Sequence, residues 1–318
     1  MSSFVSLVDR SFSRKQPSPS KSRPSPVQPA APGTESTERP LFGLEQLEVD
    51  WEEETGTLWT FMRPHNRPSY NPEFLKDFEA WQIGIQSMFA GQEDELRYLV
   101  LGSRWPGVYS LGGDLDLFAR HIRDRDREAL VEYGRTCVRI LHRNIETLDL
   151  PVVTIALAQG DALGGGFESL LSFNVVIAER GIKFGFPESL FGLFPGMGAY
   201  SLLARRIGAA KAEEMILSGN SFTAEEMHDL GIVHILAEPG EGVEATRAYI
   251  QKQRWRRNGS RAVYMTGRQV DPLPLEELER IVEIWADACL LLSDRDLRLM
   301  ERLVAAQDRL RSVPLAAE

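Results

Sequence analysis

Two glutamates beside glycine-rich turns carry the chemistry this chain can perform. Glu168 closes the run Gly160-Asp-Ala-Leu-Gly164-Gly165-Gly166-Phe167-Glu168, and Glu188 closes Phe184-Gly-Phe-Pro-Glu188. Glu168 is flanked by Phe167 and Leu170-Leu171, and Glu188 by Phe184, Phe186, Leu190 and Phe191. Carboxyls held between apolar walls have raised pKa values and exchange protons near neutral pH. The plainer readings are a first-turn acid favoured by a helix dipole for Glu168 and a solvated loop acid for Glu188. Three consecutive glycines let a backbone come close to a ligand, and at a helix N-terminus their N–H groups face an anion. That anion is a phosphate or an enolate developing from a carbonyl; tight strand–helix packing is the alternative use of such glycines. The run lacks the Gly-Lys-Ser/Thr ending of a P-loop and is not G-x-G-x-x-G, a pattern that Gly196-Met-Gly198-Ala-Tyr-Ser201 only approaches. A second turn, Ser110-Leu111-Gly112-Gly113-Asp114, offers a further backbone donor, with Asp114 read as the cap of a helix starting near Leu115.

The elements that must hold these turns are legible in the periodicity. Leu47, Val49 and Trp51 alternate with polar residues, and Leu58-Trp59-Thr60-Phe61-Met62 follows a turn, which predicts a hairpin. Asn71-Pro72 opens a helix to about Ala90, with Phe74, Leu75, Phe78, Trp81 and Ile85 on one face. A second long helix is expected from about Arg125 to Thr147. Buried strands are predicted at Tyr98–Leu101, Val152–Leu157 and Val175–Ala178, and the triple glycine opens a helix near Phe167. Strands alternating with helices at this pace indicate an α/β fold with mainly parallel pairing. After Pro272 and Pro274 the pattern becomes helical: Leu278, Val282, Trp285 and Cys289 share one stripe, and Ser293 with Asp296 caps a last helix. Residues 1–40 are expected to be a disordered Ser/Pro-rich tail, residues 41–258 the α/β core and residues 259–318 a C-terminal helical module.

Composition excludes other classes. The 318 residues carry a formal charge of −10, with 43% hydrophobic and 26% charged residues, ordinary for a globular protein in water. Residues 1–40 hold ten serines, seven prolines and a charge of +3, which leaves −13 on the rest. Such a tail buries too little apolar surface to offset its ordering entropy, and its prolines break the amphipathic helix of a transit peptide. Cys137 and Cys289 are too few for a disulfide framework or a four-thiolate zinc site. No apolar run approaches the ~20 residues of a membrane span. The acidic balance argues against nucleic acid, and a cytoplasmic location is expected. Arg254, Arg256, Arg257 and Arg261, with Trp255 among them, form the one dense basic cluster of the folded part; it suits an acidic partner or a solvated helix end.

Taken in order and spacing, Ser110–Asp114, Gly160–Glu168, Phe184–Glu188 and Gly192–Gly198 resemble the crotonase (enoyl-CoA hydratase/isomerase) superfamily. Thr223-Ala-Glu-Glu226 and Leu230-Gly231 fit its next helix and turn. Both motif glutamates are present. Within the superfamily, Gly160–Glu168, Leu193–Ser201, Glu283-Ile-Trp285 and Met300–Gln307 most resemble the bacterial diffusible-signal-factor synthases of quorum sensing. The resemblance implies a spiral of ββα turns, a helical C-terminal module and a trimeric unit or a dimer of trimers. It implies an oxyanion hole from the backbone N–H groups of Leu111 and Gly165. Glu168 and Glu188 are the implied catalytic pair, one removing the α-proton and the other protonating the departing 3-hydroxyl. Gly164 is a further candidate for substrate binding, and Met197, Trp285 and Leu303 are candidates for an apolar acyl tunnel, ordinary core packing being their plainer reading. The implied substrate is a 3-hydroxyacyl thioester on acyl carrier protein or coenzyme A, with no further cofactor or metal. Dehydration to a cis-2-enoyl thioester and its hydrolysis to the free fatty acid are the implied activities, with a CoA-dependent hydratase or isomerase as the alternative. A sensor kinase's receiver domain is a further implied partner.

Overall fold

The computed structural model describes residues 40–309; the expected Ser/Pro-rich tail lies outside the described residues. Among the described residues, ten strands form two sheets. The first runs β1 (Leu47–Glu52), β2 (Thr57–Met62), β3 (Tyr98–Ser103), β5 (Val153–Ala158), β7 (Val175–Glu179), β10 (Ile235–Ala237). The second runs β4 (Val108–Ser110), β6 (Asp161–Leu163), β8 (Lys183–Gly185), β9 (Ser221–Thr223). Among the described strands, only the β1–β2 hairpin and the β8–β9 pair are antiparallel. Each of β3/β4, β5/β6 and β7/β8 gives its first strand to the large sheet and its second to the small one, as a ββα spiral requires. The large sheet is covered on both sides, which explains its unbroken apolar runs. One face packs in the main core, and the other buries Trp59, Val100, Ile155 and Ile177 against Ile250.

Eleven α-helices connect or cover the described strands: α1 (Pro72–Met88), α2 (Leu115–Arg123), α3 (Arg127–Ile145), α4 (Gly165–Leu171), α5 (Ala199–Ile207), α6 (Ala209–Ser218), α7 (Ala224–Asp229), α8 (Gly242–Gln253), α9 (Arg257–Val270), α10 (Leu275–Cys289) and α11 (Asp294–Arg309). The Asn71 side chain accepts the Phe74 N–H at 2.8 Å and caps α1, whose Phe74, Phe78, Trp81 and Ile85 are buried. The capping box at Thr223 is formed, as is the reciprocal pair between Ser293 and Asp296 that starts α11. Two expectations shift. The long helix begins at Arg127, because Arg125 takes a positive φ and ends the preceding turn. The helix after the triple glycine begins at Gly165, two residues earlier than the apolar pattern suggested. No described helix is long and apolar enough to cross a membrane. α10 packs its Leu278, Val282 and Trp285 inward, whereas α9 buries none of its residues.

Candidate active site

The small sheet is what brings the two glutamates together. Leu163 on β6 pairs with Gly185 on β8, and the Gly164 N–H donates to the Gly185 carbonyl at 2.9 Å. The chain leaving β8 then turns through a short 3-10 segment, Pro187–Phe191, which sets Glu188 against the β6–α4 turn. The fit is close: a Cβ on Gly164 would lie 2.4 Å from Glu188 Oε1. Gly164 also holds φ 53° and ψ −128°, a conformation open in practice to glycine alone. The three glycines divide the work. Gly164 makes the turn, Gly165 leads α4, and Gly166 abuts the Ser110 carbonyl, where a Cβ would come within 2.3 Å. Tight packing and ligand approach are therefore both uses of this run.

Glu168 sits in the first turn of α4 and is 1% exposed. Its Oε1 accepts the N–H groups of Met197 and Ala199, both at 2.8 Å. The Gly196–Ser201 turn, a near miss for a nucleotide motif, is thus the cradle of this carboxyl. Burial pushes the Glu168 pKa up to about 8, with the nearby Glu188 charge adding to the rise and the two N–H donations opposing it. Burial also raises Glu188, to about 7. Its Oε2 is enclosed and has no hydrogen-bond partner in the protein.

The donor assigned to Leu111 needs correction. Its N–H donates to the Pro68 carbonyl at 2.7 Å, and the next N–H, of Gly112, goes to Ser110 Oγ at 3.1 Å. The first N–H of this turn left without a protein acceptor among the described residues is that of Gly113. It lies beside Gly165, whose N–H, at the first position of α4, is also uncommitted: a Cβ on Gly165 would be 3.5 Å from the Gly113 nitrogen. Asp114 is the cap it was read to be, accepting from Leu117 N. The sequence signal that would have distinguished Gly113 is that it directly precedes the cap, where the chain has already left the sheet.

Both carboxyls and both free N–H groups open into one cavity of about 410 Å³, whose wall also includes Leu111, Met197, Trp285 and Leu303. Gly164 lies behind that wall, against Glu188. Residues 57–272 match the enoyl-CoA hydratase/isomerase family. The chain belongs to that family. It is 30% identical over 209 residues to "Probable enoyl-CoA hydratase 2, mitochondrial" of Arabidopsis thaliana, a match spanning 66% of this chain and 65% of that protein, just under two thirds of its length. Among solved structures, it is similar to an enoyl-CoA hydratase from Bacillus halodurans (TM-score 0.65, 23% identity, 82% of this chain and 100% of the other). It is similar in fold to the human mitochondrial delta3-delta2-enoyl-CoA isomerase as well (TM-score 0.68, 16% identity, 83% and 99% covered).

Beyond the residues named from sequence, this enoyl-CoA hydratase/isomerase family member lines its cavity with Phe118, Tyr133 and Gln307. Phe118 meets Tyr133 and Trp285 edge to face, at 4.9 and 5.0 Å between centroids. Helix periodicity does not single out Phe118 or Tyr133, because a cavity wall and a core have the same pattern. Arg254, Arg256, Arg257 and Arg261 do not line the cavity; Arg257 donates to the Pro151 carbonyl, just ahead of β5. A measurable consequence follows from the two raised carboxyls. Below about pH 7 both hold protons and no base remains; above about pH 8 both are ionised and no acid remains. Turnover should trace a bell between those limits, its flanks belonging to the pair as a unit. Folded-state carboxyls with raised pKa values bind protons that the unfolded chain has released, so stability should fall as pH climbs from the ordinary carboxylate range toward 8. A flat pH–rate profile from pH 5 to 9 would refute the pairing.

Proposed function

We propose that the site interconverts 3-hydroxyacyl and 2-enoyl thioesters by removing or adding one water. The observation that carries this reading is the meeting of two uncommitted backbone N–H groups with two carboxyls of raised pKa in one cavity. In the dehydration direction the Glu188 carboxylate, whose Oε2 has no hydrogen-bond partner in the protein, takes the C2 proton. The electron pair moves onto the thioester oxygen, held by the Gly113 and Gly165 N–H groups. One such donor contributes about 2.7–4 kcal/mol to the transition state. Collapse of the enolate expels the C3 hydroxyl, which leaves as water with the proton of Glu168. The apolar wall around Phe118, Leu193, Trp285 and Leu303 suits an aliphatic acyl chain, and the volume falls in the usual range for ligand cavities.

The finer reading is a signal synthase. It would act on a 3-hydroxyacyl chain carried by acyl carrier protein, form the cis-2-enoyl thioester and hydrolyse it to the free quorum-sensing acid. Its support is the resemblance in Gly160–Glu168, Leu193–Ser201, Glu283–Trp285 and Met300–Gln307, which also favours a trimeric unit and contact with a receiver domain. A CoA-dependent hydratase or isomerase is the second reading, favoured by the names of the relatives above. Incubation with 3-hydroxydodecanoyl carrier protein and with 3-hydroxydodecanoyl-CoA, followed by mass spectrometry, separates them. Free cis-2-dodecenoic acid from the carrier-bound substrate is expected of the synthase. An enoyl thioester without free acid supports the hydratase, and no loss of water from either substrate overturns the synthase and the hydratase and leaves the isomerase.

A further inference from the structure

Among the described residues, two enclosed side-chain oxygens that line the reaction cavity have no hydrogen-bond partner: Glu188 Oε2 and Gln307 Oε1. An orphaned polar atom of this kind carries an uncompensated desolvation cost when folding leaves it unmatched. Most buried polar atoms are matched, so one that faces a reaction cavity points to a ligand that completes it. Glu188 is accounted for by proton transfer. Gln307 is not.

Gln307 reaches the cavity for a reason visible in the chain. It lies four residues after Leu303, so the two side chains occupy the same face of α11 one turn apart, and both line the cavity. The helix is anchored by buried Leu297 and Met300, by the Ser293–Asp296 cap and by an ion pair between Glu301 and Arg123 of α2. A carboxamide at this place keeps its hydrogen-bonding character at every pH at which the two carboxyls change charge. It accepts a hydroxyl proton and donates N–H, but neither gives up nor takes a proton as an acid or base would. Within the acyl group of a 3-hydroxyacyl thioester, the carbonyl oxygen already has the Gly113 and Gly165 N–H groups, and the alkyl chain has no polar atom. The C3 hydroxyl remains.

We infer that Gln307 binds the C3 hydroxyl of the substrate, and the water that this hydroxyl becomes, holding it toward the proton donor of the carboxyl pair. This assignment rests on the dehydration reading above and makes Gln307 a substrate-binding residue that favours hydroxylated over saturated acyl chains. A site built to hydrogen-bond a substrate hydroxyl discriminates strongly against the analogue lacking it.

The test compares two reactions of the full chain. Dehydration of 3-hydroxydodecanoyl thioester requires the hydroxyl; exchange of the C2 protons of dodecanoyl thioester into D2O requires only the enolate. In Gln307→Met, which keeps the length of the side chain, the ratio of dehydration to exchange should fall about tenfold or more, with the KM for the hydroxyacyl substrate raised. An unchanged ratio overturns the assignment, whether both rates hold or both fall together, the latter being the signature of a helix that merely packs. Wild-type protein that exchanges C2 protons but never dehydrates would instead overturn the dehydration reading itself, and this assignment with it.

Discussion

Glu188→Gln should lower kcat for dehydration by about 10²–10⁴-fold, the usual contribution of a positioned acid or base, and Glu168→Gln should do the same. The amide keeps the size of the carboxyl, so the cavity changes little in shape. What disappears is the ability to hold a proton in one state and release it in the next. The two variants should differ in what survives. Glu168→Gln retains the Glu188 base, so exchange of C2 protons should persist while loss of the hydroxyl stops. Glu188→Gln should lose both. Stability moves the other way. Burial is the largest reason both pKa values are raised, so each carboxyl opposes folding once the pH is high enough to ionise it. Above about pH 8 both variants should therefore melt at higher temperature than the wild type. Steady-state assays, deuterium exchange and thermal unfolding check the three outcomes. Undiminished turnover in either variant would refute its assigned role.

Gly164→Ala should reduce turnover at least about 100-fold while leaving the protein folded, a loss of the size expected from about 1 Å of misplacement in a catalytic group. Two effects act together. The backbone angles at Gly164 are strained for any residue with a Cβ, at a cost of about 1–3 kcal/mol. The new methyl would also sit 2.4 Å from Glu188 Oε1, so either the carboxyl or the turn must yield. If the carboxyl yields, the base leaves the C2 proton; if the turn yields, the Gly165 N–H leaves the thioester oxygen. Both outcomes damage the same step. Circular dichroism and the thermal midpoint report the fold, and kcat/KM reports the site. Full activity in this variant would show that Glu188 is not held by the turn.

Much of this was readable before any coordinate. The glutamates were conspicuous because each sits at the end of a glycine run among aromatic residues, and the α/β class followed from apolar runs that both faces of the large sheet bury. The caps at Asn71, Asp114 and Thr223 were legible because capping is local: a side chain meets a backbone N–H two or three residues away. Local information fails where atoms distant in sequence meet. Nothing near Leu111 announces that the Pro68 carbonyl takes its N–H and so passes the donor role to Gly113. The Met197 and Ala199 N–H groups reach Glu168 across 29 and 31 residues, and Gln307 enters a cavity whose two carboxyls lie more than a hundred residues earlier. Residue types and spacing by themselves determined the class of fold, the family and the two carboxyls, because these depend on periodicity and on short motifs. The tertiary structure alone decided which N–H groups are free, which carboxyl is cradled and which polar atoms lack partners. Those are properties of satisfied and unsatisfied hydrogen bonds, and a hydrogen bond is settled only when both of its ends have been placed.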